Sequence, residues 1–263
     1  MKYVLVTGAS GGMGLKTCEE LIRRGYCVIA LDKIVLENKE RLIWVQTDVS
    51  NEESVSRAYD FVRSITGEIY AVLHFAGIYM LDSLVEIPFE AFERIFRINV
   101  FGAYLVNRIF LPIVAPGGRI VITTSELATL DPLPFTGLYA VTKGALDKYA
   151  FSLRMELQLL NISVSVLRAG AVDTGMLGTS TAALEAFCSH TQLYKCNSKK
   201  FREIVESVEA RRIPPEKLAG KICAIIEKRK PRYAYSINRN PLLLLLNALP
   251  KCLQLAAIRW ILK

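Results

Sequence analysis

Short apolar runs and helical patterns alternate along nearly the whole of this 263-residue chain. The runs Tyr3–Thr7 (YVLVT), Cys27–Leu31, Leu42–Gln46, Tyr70–Phe75, Arg119–Thr124 and Ile162–Leu167 are rich in β-branched and apolar residues and read as strands. A seventh is expected at Arg232–Ile237. Between them, Gly12–Arg24, Glu52–Ser64, Phe89–Val114 and Leu138–Leu160 carry helical spacing. Several strands are apolar on both faces, as required when helices cover both sides of a parallel sheet. The pattern predicts an α/β, doubly wound Rossmann fold: a seven-stranded parallel sheet with helices on both faces. At 263 residues and 52% apolar, one domain spanning 1–263 can bury a sizeable core.

The first strand runs into TGASGGMG, Thr7 to Gly14. Glycines between a strand and a helix let the backbone approach a pyrophosphate, and the helix N-terminus offers N–H groups and a positive dipole end. The second strand ends at Asp32, where a carboxylate can accept from the adenosine ribose hydroxyls. That carboxylate would repel a 2′-phosphate, so NAD is expected over NADP, with Lys33 as a partial offset. Further on, GLYAVTKGAL places Tyr139 and Lys143 four residues apart, on one face of a helix.

TGASGGMG fits T-G-x-x-x-G-x-G, and Tyr139 with Lys143 fits Y-x-x-x-K. Ser125 closes the fifth strand, and Asn99 stands in RINVFG. In order and spacing these four motifs resemble the short-chain dehydrogenase/reductase family, possessing hydroxysteroid and retinol dehydrogenases among its members. The likeness is dense from Met1 to Leu177 and one of layout beyond. It implies hydride transfer between a nicotinamide and a CH–OH carbon. Tyr139 would be the general acid/base, and Lys143 would lower its pKa from about 10 and bind the nicotinamide ribose. Ser125 would bond the substrate oxygen, and Asn99 would help hold a proton-relaying water. The implied cofactor contacts are Gly8, Ser10, Gly12, Met13, Gly14, Asp32, Asp48, Val49, Ala76, Gly77, Tyr139, Lys143, Gly170, Val172 and Thr174. Two departures stand out. His74 and Phe75 occupy places where the family has asparagines, so His74 is expected to tie neighbouring strands together. Ala169 replaces a turn proline. The resemblance also implies a homodimer or homotetramer through the helices at Phe89–Val114 and Leu138–Leu160.

Substrate specificity is expected from Glu126–Leu130, Leu133–Gly137, Tyr79–Leu81 and a lid over 175–213. These segments offer Leu127, Leu130, Leu133, Phe135, Tyr79, Met80, Met176 and Leu177, an apolar set suited to a bulky alcohol or ketone such as a hydroxysteroid or retinoid-like lipid. A small-carbonyl or 3-oxoacyl thioester reductase is the alternative. A non-catalytic dinucleotide sensor is a third reading, against which the retained tyrosine and lysine argue. Glu126 is either solvated or paired with a polar substrate group.

From Lys195 onward there are 16 Lys/Arg against five Glu and no Asp, within a net charge of +8. Acids interspersed along these helical patterns, without a recognition motif, argue against nucleic-acid binding. The tail 240–263 is the most apolar stretch, interrupted by Asn247, Pro250 and Lys251, and reads as two short helices that close over the pocket, meet a partner subunit or touch a membrane surface. Six cysteines without C-x-x-C and only two histidines, His74 and His190, argue against a zinc site. No secretory leader is expected, and the reading is a cytoplasmic protein with reduced thiols.

Overall fold

The computed structural model describes residues 1–174, 176–209 and 212–263, with side chains described for all of these except 176–182 and 205–209. Strands β1 (Tyr3–Thr7), β2 (Cys27–Asp32), β3 (Leu42–Gln46), β4 (Ile69–His74), β5 (Val114–Ser125), β6 (Ser163–Ala169) and β7 (Ala234–Ile237) form one sheet. Its order is β3-β2-β1-β4-β5-β6-β7, and every neighbouring pair is parallel. Strand order reverses between β1 and β4, and the carboxyl edge at such a switch point is where open α/β sheets bind ligands. The helices are α1 (Gly12–Arg23), α2 (Glu52–Ile65), α3 (Phe89–Phe96), α4 (Gly102–Phe110), α5 (Gly137–Leu157), α6 (Met176–His190), α7 (Lys195–Glu209), α8 (Pro215–Glu227), α9 (Pro241–Ala248) and α10 (Lys251–Leu262).

Alternate residues of a strand face opposite layers, and β1 shows this directly. Val4 and Val6 pack with Cys18, Leu21, Leu218 and Ile222 under α1 and α8. Leu5 packs with Val55, Val62, Val106, Phe110, Leu146 and Ala150 under α2, α4 and α5. A third, smaller cluster joins Leu81, Leu184, Phe187, Phe201 and Leu262 beyond the sheet edge. Helix α5 is further fastened by a bidentate pair: Arg168 donates to Asp147 at 2.9 and 2.8 Å, and the Tyr233 hydroxyl donates to the Asp147 carbonyl at 2.6 Å.

The expected helix Phe89–Val114 is interrupted. A π-helical turn, Arg97–Phe101, separates α3 from α4, and a 3-10 turn at Leu111–Ile113, with Pro112 inside it, ends α4. Proline has no N–H for the helical ladder. Strand β5 starts earlier than its apolar run, at Val114, because Ile69 pairs with Val114 before the register jumps to Ala71 with Arg119. Gly117, at φ 85°, carries the chain through that irregularity. The tail forms the two short helices expected of it. Among the described residues, no helix is long and apolar enough to cross a membrane, and no group of three His, Cys, Asp or Glu is placed to hold a metal. All six cysteines are free.

Candidate active site

The turn after β1 is built so that three backbone segments meet. A Cβ on Gly8, whose φ is +65°, would lie 2.5 Å from the Ala76 nitrogen, and one on Gly14 would lie 2.2 Å from the Gly8 carbonyl oxygen. The helical ladder of α1 begins with Leu15 N–H donating to Gly11 at 2.8 Å, so the N–H groups of Gly12, Met13 and Gly14 precede it. These residues, with Gly8, Ser10 and Gly77, line a cavity of about 460 Å³. A side-chain-free cradle at a helix N-terminus fits the pyrophosphate of a dinucleotide. Gly14→Ala should destabilise the fold by about 1–3 kcal/mol and weaken dinucleotide binding, read by urea unfolding and cofactor titration. Unchanged values in both would show that the turn is not close-packed as described.

Asp32 sits at the rim of this cradle, its carboxylate accepting from Ser10 N–H at 2.9 Å and Ile34 N–H at 3.1 Å. Lys33 does not offset it. Lys33 Nζ pairs with Asp48 at 2.8 Å. Partial burial pushes the Asp48 carboxyl upward, but Lys33 and Ser50 hold it below its ordinary value. Val49 turns into the core, where a Cβ on Gly102 would come within 2.8 Å of it. Ala76 N–H donates to the Thr7 hydroxyl at 3.3 Å. Gly170, Val172 and Thr174 line a second, larger cavity, and Thr174 and Tyr79 border both.

Ser125 and Tyr139 face that second cavity, of about 580 Å³. Ser125 ends β5 and is buried, its hydroxyl accepting from Leu127 N–H at 3.2 Å. Tyr139 lies in the first turn of α5, with its ring 4.9 Å from that of Tyr79 in an edge contact. Burial pushes the Tyr139 phenol up to about 12, against the pull of its hydrogen bond with Ser125. Lys143 follows one turn on, buried, donating to the Thr123 carbonyl at 3.3 Å and lying 5.5 Å from the Tyr139 ring centre. Burial lowers its ammonium to about 8. Burial thus presses both groups toward their neutral forms, and the phenol is raised rather than lowered as expected from its lysine.

Asn99 occupies the π turn. Its amide donates to the Ile78 carbonyl at 3.0 Å and the Thr142 hydroxyl at 3.2 Å, and its Oδ1 accepts from Ile78 N–H at 2.8 Å. With both amide hydrogens committed, the side chain holds the loop after β4 to α5. π turns recur at functional sites, and this one places Asn99 beside Gly77, where a Cβ would meet Asn99 Oδ1 at 3.2 Å and Lys143 Nζ at 3.6 Å.

His74 is buried and bonds Asn107 of α4 at 2.8 Å; Asn107 in turn donates to the Tyr149 hydroxyl at 3.2 Å. Burial lowers its imidazole to about 4, so it is neutral and ties β4 to a helix pair, not to a neighbouring strand as expected.

The larger cavity is mainly apolar, and its outer wall is the tail. Leu242, Leu243, Leu245, Leu246 and Leu249 line it together with Ile258, Ile261 and Leu262. Tyr79, Leu127 and Leu133 line it as expected, whereas Phe135, held at φ 65°, turns into an aromatic cluster with Phe187, Tyr194 and Phe201 at 4.4–5.1 Å. Among the described residues, Leu130 and Met80 do not line it; the Met176 and Leu177 side chains lie outside the described residues. Glu126 is not solvated, although it lines the cavity. It is buried, and its Oε2 accepts from Asn240 N–H at 2.8 Å, at the N-cap of α9. Burial raises its carboxyl, against that hydrogen bond and the nearby Arg239. Asp131 N–H donates to Asn247 at 2.6 Å, and Lys251 pairs with the Asp131 carboxylate. Lys251 thus meets a carboxylate of its own chain.

Residues 2–185 match the family model of the short chain dehydrogenases. The uncharacterized oxidoreductase YbbO of Escherichia coli strain K12 is 36% identical over 180 residues, 66% of this chain and 66% of that one. A 3-ketodihydrosphingosine reductase of Bacteroides thetaiotaomicron is 25% identical over 238 residues, 90% of this chain and 88% of its own. Among solved structures, a short chain dehydrogenase family protein from Francisella tularensis has a TM-score of 0.76 at 21% identity, covering 90% of this chain and 97% of that one.

Proposed function

Because the chain belongs to the short-chain dehydrogenase/reductase family, and so is an NAD(P)-dependent oxidoreductase, we propose that it interconverts a secondary alcohol and ketone on a bulky lipid of hydroxysteroid or retinoid-like kind, with NAD as the preferred cofactor. The observation that carries this reading is the meeting of two cavities at Tyr79 and Thr174. One is a glycine cradle; the other is an apolar chamber with Ser125 and Tyr139 in its wall.

In this reading the bound nicotinamide accepts or supplies the hydride. Tyr139 takes the hydroxyl proton during oxidation and returns it during reduction. Ser125, already within reach of the phenol, orients the substrate oxygen. Lys143 brings positive charge beside the phenol and faces the cofactor side past Gly77. Asn99 acts by position, holding Ile78 and α5 in register. Gly170, Val172 and Thr174 would meet the carboxamide end, and Asp48, Val49 and Ala76 the adenosine end. Asp32, with Lys33 diverted to Asp48, supports NAD because a 2′-phosphate would meet an uncompensated carboxylate. The tail and the described part of the expected 175–213 lid, from which Phe201 and Ile204 line the chamber, serve as its cover; residues 175, 210 and 211 lie outside the described residues. Exposed apolar side chains on α4 and α5, among them Tyr104, Val141, Phe151 and Met155, support assembly into a homodimer or homotetramer through those helices.

Absorbance at 340 nm tests the reading, with NAD and NADP against hydroxysteroids, retinol, a long-chain 3-ketosphingoid base, small secondary alcohols and a 3-oxoacyl thioester. Turnover of a bulky lipid alcohol or ketone with at least roughly tenfold preference for NAD is expected, narrowing in Asp32→Ala; one such factor corresponds to about 1.4 kcal/mol. Turnover with NADP alone would sink the cofactor assignment, and activity confined to small alcohols or acyl thioesters would sink the substrate assignment.

A further inference from the structure

The tail that walls the larger cavity also presents its apolar side chains outward. Leu242 and Leu245 are 64% and 66% exposed although they line the cavity, and Leu249 and Ile261 share this double position. On α10, Leu253, Leu255 and Trp260 are exposed as well, Trp260 at 83%. The mouth of the chamber is therefore ringed by leucines facing away from the protein, and the patch continues along the next helix. Isolated exposed leucines are ordinary; a contiguous set around a cavity mouth marks an interaction surface.

Charge selects the occupant. From Arg239 to Lys263 there are four basic residues and no acidic one. Lys251 is paired with Asp131, while Arg259 on α10 and Lys263 at its C-cap are exposed. A second copy docking through this face by a twofold axis would bring the same basic residues toward each other, with no acid in the segment to receive them. A surface of anionic headgroups over hydrocarbon complements both properties.

We propose that α9 and α10 form a docking face for an anionic lipid bilayer, which the mouth of the larger cavity addresses directly. The inference deepens the proposed reading and rests on it in one respect: a lipid alcohol would pass from the bilayer into the chamber without crossing water. The fastenings of Asn240 to Glu126 and of Asn247 and Lys251 to Asp131 keep the docking face fixed relative to Ser125. Asn197 adds another, donating to the Leu262 carbonyl at 2.8 Å.

The chain has two tryptophans, and Trp44 is buried, so a change in tryptophan emission on adding vesicles reports on Trp260. The full-length protein, with no substrate or cofactor, is mixed with phosphatidylcholine vesicles with or without phosphatidylglycerol and followed by emission and co-sedimentation. A shift to shorter wavelength with the anionic vesicles is expected, with affinity roughly thirtyfold above that for neutral vesicles at low salt, from Arg259 and Lys263. Leu253→Glu/Leu255→Glu should lose the shift while keeping wild-type circular dichroism, since both side chains are exposed. Absence of binding to anionic vesicles at low salt, or equal binding to neutral ones, overturns the proposal. So does a vesicle-independent, concentration-dependent shift that the double variant abolishes together with dimerisation, which would assign the face to a second copy. Because no turnover is measured, these outcomes stand apart from failure of the substrate reading.

Discussion

Tyr139→Phe should lower turnover by roughly 10²–10⁴-fold, the range associated with removing a positioned general acid or base, while leaving dinucleotide affinity and folding close to wild type. The substitution removes only the hydroxyl. The ring keeps its edge contact with Tyr79 at 4.9 Å and its place in the first turn of α5. The lost hydrogen bond is with Ser125, whose hydroxyl retains the Leu127 N–H as a donor. Steady-state rates should therefore fall in kcat, with little change in cofactor dissociation measured by fluorescence titration. A variant that retains a tenth or more of wild-type turnover would remove Tyr139 from the chemistry. A variant that fails to bind dinucleotide would instead make the hydroxyl a binding group. The direction of reaction adds a second readout. With the phenol pushed up to about 12 by burial, Tyr139 keeps the proton that ketone reduction would draw on across the neutral range. Alcohol oxidation needs the phenolate and should gain from rising pH.

Much of this arrangement is legible in the sequence because its signals are local. A strand, a glycine turn and a helix are contiguous from Tyr3 to Arg23, and the spacing of Tyr139 and Lys143 is a single helical turn. The strand positions follow from β-branched runs, and six of the seven both begin and end within two residues of those runs. What escapes is fixed by partners far along the chain. The break at Arg97–Phe101 depends on Asn99 meeting Ile78, across 21 residues. Glu126 has no meaning until Asn240, 114 residues later, closes on it. The aromatic set around Phe135 needs a positive φ at a non-glycine residue, which no propensity suggests. The leucine run of α9 could be recognised as apolar, but that it walls the cavity on one side and faces outward on the other is a tertiary fact. A carboxylate directly after the serine, and the Asn-Pro that opens α9, were the available signals; nothing in the sequence joined them.

Lys143→Met should be both less active and more stable at neutral pH, a pairing that a merely structural lysine would not give. The lysine is 6% exposed, and burial brings its ammonium from the ordinary 10.5 to about 8. That difference corresponds to about 3 kcal/mol by which folding disfavours the charged form. Below pH 8 the group is charged in the folded and unfolded chain alike, and the whole penalty applies. Between about 8 and 10.5 the unfolded chain binds more protons than the folded one, so wild-type stability rises with pH across that window. Above it the lysine is neutral in both and the penalty has gone. Methionine fills similar volume without charge, at the loss of one 3.3 Å hydrogen bond to the Thr123 carbonyl, itself worth on the order of 1 kcal/mol. The expected result in urea unfolding of the cofactor-free proteins is a variant more stable by about 2 kcal/mol at pH 7, with the advantage shrinking and then reversing as pH passes through 8 to 10.5. Turnover should fall on the order of 10²–10⁴-fold, because the positive charge beside the phenol is gone. A stability difference independent of pH would mean that the ammonium is solvated and the burial argument wrong. A variant destabilised equally at pH 7 and pH 10 would make Lys143 a packing residue whose charge the fold does not resist.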